Sequence, residues 1–135
     1  MKRTALALLV ASSLALNGCV AVGLTALGVG MATGVSHTLG GMVYKTFTTP
    51  QANVKKASIT ALNRMQVKVL KSQRDGSTET ILAKAGDRDI EVVLEALTPN
   101  TTRMKVTAKQ NGGILSDGAT ATEVILQTEK IVGPT

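Results

Sequence analysis

Tryptophan is absent from this chain of 135 residues, and it has one tyrosine, one phenylalanine, one histidine and one cysteine. Tyr44 and Phe47 alone cannot build the aromatic platforms on which exposed bases stack, so nucleic acid is not an expected partner. A single histidine, His37, excludes paired-histidine metal centres. A single cysteine, Cys19, excludes an intramolecular disulfide and any CxxC ligand pair. Nucleophilic Ser/His/Asp or Cys/His sets would depend on these same two residues, both placed in or beside an uncharged glycine-rich stretch. Gly86 and Gly112-Gly113 lack the strand-to-helix setting of a phosphate-binding loop. Asp75, Asp87 and Asp89 stand in or beside turn sequences, where aspartate is a turn former. No catalytic residue, resident metal or resident cofactor is therefore expected, and the chain does not read as an enzyme.

Acidic residues are missing from the first half altogether. None precedes Asp75, whereas Lys45, Lys55, Lys56, Arg64, Lys68, Lys71 and Arg74 all do. The formal net charge is +6, and the nine acids share residues 75–135 with six bases. Long apolar runs occur only before Tyr44. Met1-Lys2-Arg3 forms a positive start, and Ala5 to Leu16 is an apolar run too short to span a bilayer comfortably, which is the architecture of a secretory leader.

That run ends in Leu16-Asn17-Gly18-Cys19. Leucine three residues ahead of a cysteine, with glycine just before it, resembles the lipobox of bacterial lipoproteins; Asn17 replaces the commoner alanine or serine. The resemblance implies cleavage after Gly18, diacylglycerol on the Cys19 sulfur and an N-acyl chain on its new amino terminus. Residues 1–18 are then a lipoprotein signal peptide, and the remaining chain has 13 bases against nine acids, a net charge of +4. Val20 after the cysteine is not the aspartate that retains enterobacterial lipoproteins in the inner membrane. The expected location is the outer membrane, facing the periplasm.

Residues 19–42 carry the expected lipid and no charged side chain, with glycine at 23, 28, 30, 34, 40 and 41. Ala26, Gly30 and Gly34 lie four apart and would form one small-residue stripe on a helix, suited to helix pairing. Glycine is also a poor helix former in water, so a flexible tether is the competing reading. Bases just beyond the anchor, Lys45, Lys55, Lys56 and Arg64, are candidates for contact with anionic headgroups; the competing reading is a solvated helix and sheet face.

Residues 43–135 are long enough for one small domain with a modest core, its unfolded surface about two-thirds buried on folding. Val43 to Thr48 predicts a strand, and Thr49-Pro50 an N-cap with proline in the first helical turn. Val54, Ala57, Ser58, Ala61, Leu62 and Met65 recur at three and four as one helical stripe. Gln66–Ser72, Thr78–Ala83, Arg88–Leu97 and Arg103–Lys109 alternate as strands, joined at Asp75-Gly76, Ala85-Gly86-Asp87 and Pro99-Asn100. Ser116 or Asp117 is placed to cap a last helix carrying Ala121, Val124, Ile125, Thr128 and Val132, stopped by Gly133-Pro134. The expected fold is α+β: a two-layer sandwich, order β-α-β-β-β-β-α, with four to five antiparallel strands, two helices on one face and the other face wet.

The lipobox, the Gly/Ala-rich stretch after it, Tyr44-Lys45-Thr46-Phe47, a helix with Ala57 and Ala61-Leu62 and a strand opening at Gln66-Val67 together resemble a family of small bacterial lipoproteins known only as a domain of unknown function. The resemblance implies an envelope-anchored α+β domain and carries no catalytic residues. The expected role is a non-enzymatic interaction or assembly module, with the membrane, envelope proteins or a second copy as partners. The alternatives are a small hydrophobic-ligand or lipid-binding module, with an apolar cleft between sheet and helices, and an oligomeric membrane element using the Gly-rich helix.

Overall fold

The computed structural model describes residues 40–133, with the backbone of Ser36–His37 besides. The first long strand is β2 (Met42–Phe47), preceded by a two-residue strand β1 (Ser36–His37). Helix α1 (Gln51–Arg64) follows. The meander comprises β3 (Lys68–Asp75), β4 (Thr78–Ala85), β5 (Arg88–Thr98) and β6 (Thr101–Gln110). A short 3-10 turn at Asn111–Gly113, a two-residue strand β7 (Leu115–Ser116) and helix α2 (Gly118–Val132) follow among the described residues. The fold is α+β, as its residues predict.

All pairings are antiparallel, and the lateral order is β1-β2-β6-β5-β4-β3. Thus β2 does not join its successor β3. It pairs with β6, from Met42↔Thr107 to Phe47↔Thr102. Helix α1 carries the chain from one side of the sheet to the other. Beyond the start of β2, β7 pairs with β6 through Lys109↔Ser116 and Gln110↔Leu115. The junction is tight: a Cβ on Gly41, whose φ is +76°, would stand 2.6 Å from the Ser116 Cβ. Only glycine tolerates both conditions.

Strand alternation turns one apolar set toward the helices. Val43 and Phe47 of β2, Ile81 and Ala83 of β4, Ile90, Val92 and Leu94 of β5, and Met104, Val106 and Ala108 of β6 are all buried. Against them lie Val54, Ala57, Ser58, Ala61 and Leu62 of α1, and Ala121, Val124, Ile125 and Thr128 of α2. The core is almost entirely aliphatic. Small residues on α1 let that helix approach the sheet, and the Ser58 and Thr128 hydroxyls bond back to the carbonyls of Val54 and Val124, so neither is left unsatisfied.

Helix ends depart from expectation at one place. Pro50 is itself the N-cap of α1, and Thr49 does not cap; the Thr49 carbonyl instead accepts from the Thr102 hydroxyl at 2.8 Å, tying the helix entry to β6. The C-terminus closes with Gln66 at φ +59°, where Gln66 N–H reaches the Asn63 carbonyl and Val67 N–H the Leu62 carbonyl. This is a Schellman closure, with buried Val67 against buried Leu62 as its hydrophobic contact. Glutamine occupies a position that favours glycine. It also delays the next strand, which begins at Lys68 rather than Gln66.

Two outcomes are expected in urea unfolding. Leu94→Ala, at a fully buried site, destabilises by about 2–5 kcal/mol. Gln66→Gly relieves the left-handed backbone and stabilises by roughly 0.5–1 kcal/mol.

Candidate functional site

Charged side chains on the helix side of the sheet are consumed by the fold. The Glu79 carboxylate on β4 is buried, accepts from Lys55 Nζ of α1 at 2.5 Å and from the Ser72 hydroxyl of β3 at 2.8 Å, and has Arg74 Nε at 3.8 Å. Arg74 also donates to Gln51 Oε1, while Gln51 Nε2 donates to the carbonyls of Ser77 and Leu94. This network docks the start of α1 on the β3–β4 hairpin. The Lys55 hydrogen bond, aided by Ser72 and the nearby positive charges, holds the Glu79 carboxyl below its ordinary range although burial pushes the other way.

Asp117 does the same for α2. Its carboxylate accepts from the Thr120 hydroxyl at 2.6 Å and the Thr120 N–H at 3.0 Å, capping the helix, and from Gln110 Nε2 at 2.7 Å and Arg88 Nε at 2.8 Å. The two Thr120 bonds are the main reason its carboxyl lies well below the ordinary range, with Gln110 and Arg88 adding to them against burial. Lys45, on β2, is only 7% exposed and meets Glu129 of α2 at 2.6 Å. That interaction withdraws Lys45 from the headgroup contacts expected of it. Lys55 is engaged with Glu79, whereas Lys56 and Arg64 remain exposed on α1. Cys19, Ala26, Gly30 and Gly34 lie outside the described residues, as do residues 1–18 and nearly all of 19–42.

Surface chemistry is concentrated on the open face of the sheet and along β3. Arg103, Lys105 and Lys109 make β6 basic there; Asp89, Glu91 and Glu95 make β5 acidic; Lys84 on β4 and Lys68 and Lys71 on β3 are basic again. Opposite charges face each other across strands at Glu95↔Arg103, Asp89↔Lys109 and Lys84↔Asp89, with contacts of 3.6 Å for Arg103–Glu95 and 3.5 Å for Lys84–Asp89. Such pairs favour this register, each by about 0.2–1 kcal/mol.

At one end of this face is an open hollow of about 470 Å³, lined by Met42, Leu70, Leu82, Glu91, Thr107 and Lys109 among others. A bulge at β3 creates its outer wall. Val69 pairs with Ala83 and Lys71 with Leu82, so Leu70 is an extra residue; it reaches the open face, 57% exposed, beside Lys71. The bulge was illegible in Lys68-Val69-Leu70-Lys71, because simple alternation fits that run equally well. The hollow lies on the face away from the helices, whereas the expected apolar cleft was between sheet and helices, a space filled by core side chains. Among the described residues, no cluster of three His, Cys, Asp or Glu is placed to hold a metal ion.

A family model described as "Protein of unknown function (DUF3568)" matches residues 2–122. The chain belongs to the DUF3568 family. The matched range takes in the apolar run from Ala5 to Leu16, Cys19 and the glycine-rich stretch, and ends within α2. DUF3568 thus spans the N-terminal apolar run and most of the folded domain. No curated protein matches the chain.

The two buried carboxylates set the acid response. Both have folded pKa values below their unfolded ones, so the stability they contribute is fully present above the unfolded values, near pH 4, and is lost as pH falls through the folded values. Thermal melts should therefore change little between about pH 5 and 8 and drop below about pH 4. Asp117→Ala is expected to cost about 2 kcal/mol at pH 7, with a smaller difference from the parent in strong acid.

Proposed function

We propose that this chain is a lipid-anchored protein of the bacterial envelope, acylated on Cys19, whose α+β domain is a non-enzymatic interaction or assembly module on the periplasmic side of the outer membrane. The observation that carries the reading is Leu16-Asn17-Gly18-Cys19 directly behind a basic start and a short apolar run. The domain supports the second half of it. Its buried carboxylates, Glu79 and Asp117, are spent on holding helices to the sheet, and the open face and the β3 border remain for recognition. With Lys45 and Lys55 engaged by Glu129 and Glu79, Lys56 and Arg64 are the candidate bases left for anionic headgroups.

A second reading rests on the hollow beside Leu70 and Leu82, where Met42 adds a third apolar wall. Its occupant would be a small hydrophobic molecule, with Lys109 and Glu91 orienting a polar end. Organic extraction of the purified chain followed by mass spectrometry separates the readings: a stoichiometric apolar molecule, lost in Leu82→Lys, favours the ligand module.

The anchor is tested by intact mass of protein recovered from bacterial membranes, beside Cys19→Ala carried through the same fractionation. The expected mass begins at Cys19 and carries diacylglycerol and an acyl chain, with processing lost in the variant. An unmodified chain retaining Met1 would refute the lipoprotein assignment.

A further inference from the structure

Among the described residues, strand β3 ends the lateral order of the sheet, pairing with β4 on one side only. Gly76 and Ser77 join Asp75 to Thr78 in a two-residue turn, so Asp75↔Thr78 must exchange both backbone hydrogen bonds. Alternation makes Gln73↔Thr80 and Lys71↔Leu82 hydrogen-bonded pairs as well. The backbone groups of Ser72 and Arg74 therefore point away from β4, toward the border.

A further strand can bond here only where its own outward groups meet those of Ser72 and Arg74. For an antiparallel second copy of β3, this leaves registers centred on Ser72, Gln73 or Arg74. Centring on Arg74 sets two guanidiniums directly opposite, which is unfavourable. Centring on Ser72 sets Lys71 against Gln73 and Arg74 against the bulged Leu70, matching no charges. Centring on Gln73 sets Lys71 opposite Asp75 of the second copy, twice, on the open face. Neither residue has an ion pair within the described residues of its own chain. Ser72, whose hydroxyl donates to Glu79, then presents its oxygen as acceptor to Arg74 of the second copy. Leu70 falls beside Gly76 of the second copy, where a side chain would meet nothing within 4 Å.

We infer that β3 is a homodimer interface: two copies join β3 to β3 about a twofold axis at Gln73, making one continuous sheet held by reciprocal Lys71–Asp75 pairs. The inference names the partner of the interaction module proposed above and rests on that reading, but not on the lipid anchor. Lys68, Lys71, Arg74 and the bulge discourage indiscriminate strand addition, whereas Lys71-Ser72-Gln73-Arg74-Asp75 complements itself in this one register.

Gln73 forms the central pair, which is not hydrogen-bonded and brings the two Cα atoms to about 4.5 Å, within disulfide range. Thr80, next to Gln73 on the same face, would lie three strand spacings from its counterpart, about 14 Å, beyond that range. Gln73→Cys and Thr80→Cys are introduced separately into the full chain, purified in mild detergent and oxidised, with the parent alongside to measure any Cys19–Cys19 product. The expected result is a predominant disulfide dimer for Gln73→Cys and nothing above the parent for Thr80→Cys. In the Gln73→Cys chain, Lys71→Glu should slow dimer formation roughly tenfold, and adding Asp75→Lys should restore it, since the swap re-creates both pairs. Circular dichroism melts accompany each variant; if one is shifted, Lys71→Gln and Asp75→Asn replace the reversals, and each alone should slow dimer formation. Equal dimer yields from the two cysteines, or an unshifted Lys71 variant that forms dimer as fast as Gln73→Cys alone, would overturn the inference. That failure would leave the Cys19 mass unchanged, so it is distinguishable from failure of the anchor.

Discussion

β2 and β6 are held in antiparallel register from Met42↔Thr107 to Phe47↔Thr102, and much of the domain depends on that non-consecutive pairing. It obliges α1 to cross the sheet, because β3 begins at the opposite border. Crossing places Val54, Ala57, Ala61 and Leu62 over the buried face of the meander. It also leaves room beside α1 for α2, whose Glu129 then meets Lys45 of β2. A one-residue slip in this register would turn Val43, Lys45 and Phe47 to solvent and Met42, Tyr44 and Thr46 inward, replacing Val43 and Phe47 in the core and breaking the Lys45–Glu129 pair. Hydrophobic burial and register are thus the same constraint at this strand.

Polar groups inside the domain follow from the same layering. A two-layer sandwich buries the start of each helix against strand ends, and the orphan N–H groups there need acceptors. Asp117 meets that need for α2 and gathers Gln110 and Arg88 to itself. Helix α1 starts without a side-chain cap: the Pro50 carbonyl accepts from the Asn53 and Val54 N–H groups, and Gln51 fixes the helix start by donating to the carbonyls of Ser77 and Leu94. Glu79 is buried because β4 places it under α1, and Lys55 neutralises it from the helix above. Breaking either carboxylate network leaves charge without a partner, which costs more than the network contributes over an apolar substitute.

The surface divides by strand. Acidic β5 between basic β6 and the basic β4–β3 side offsets much of the positive charge of the open face, leaving six bases against four acids. Recognition there depends on local pattern as well as on a modest positive field. The β3 border is different: a bulge, a short regular run and alternating chemistry make it selective about what can be added. A sheet border with these features is neither inert nor sticky.

Much of the domain was legible in the residues. Period-two runs at 88–97 and 103–109 and the three-and-four spacing from Val54 to Leu62 foretold which side chains enter the core, since burying one face forces that periodicity. Turn chemistry at Asp75-Gly76 and Ala85-Gly86 located the hairpins. Local pattern could not say which strand lies beside which, because alternation is blind to the neighbour that covers it; only the closed sheet decided that β2 meets β6. Nor could it show that Lys45 and Lys55 are taken by Glu129 and Glu79, partners 84 and 24 residues away. The charge run from Lys45 to Arg74 looked like one basic segment in the chain. Folding sent its members to the core side, the helix surface and the sheet border, because successive side chains on a strand, and those not three or four apart on a helix, face different ways. Composition and spacing determined the layers and their faces, while tertiary structure determined the neighbours, and with them which charges remain free to recognise anything.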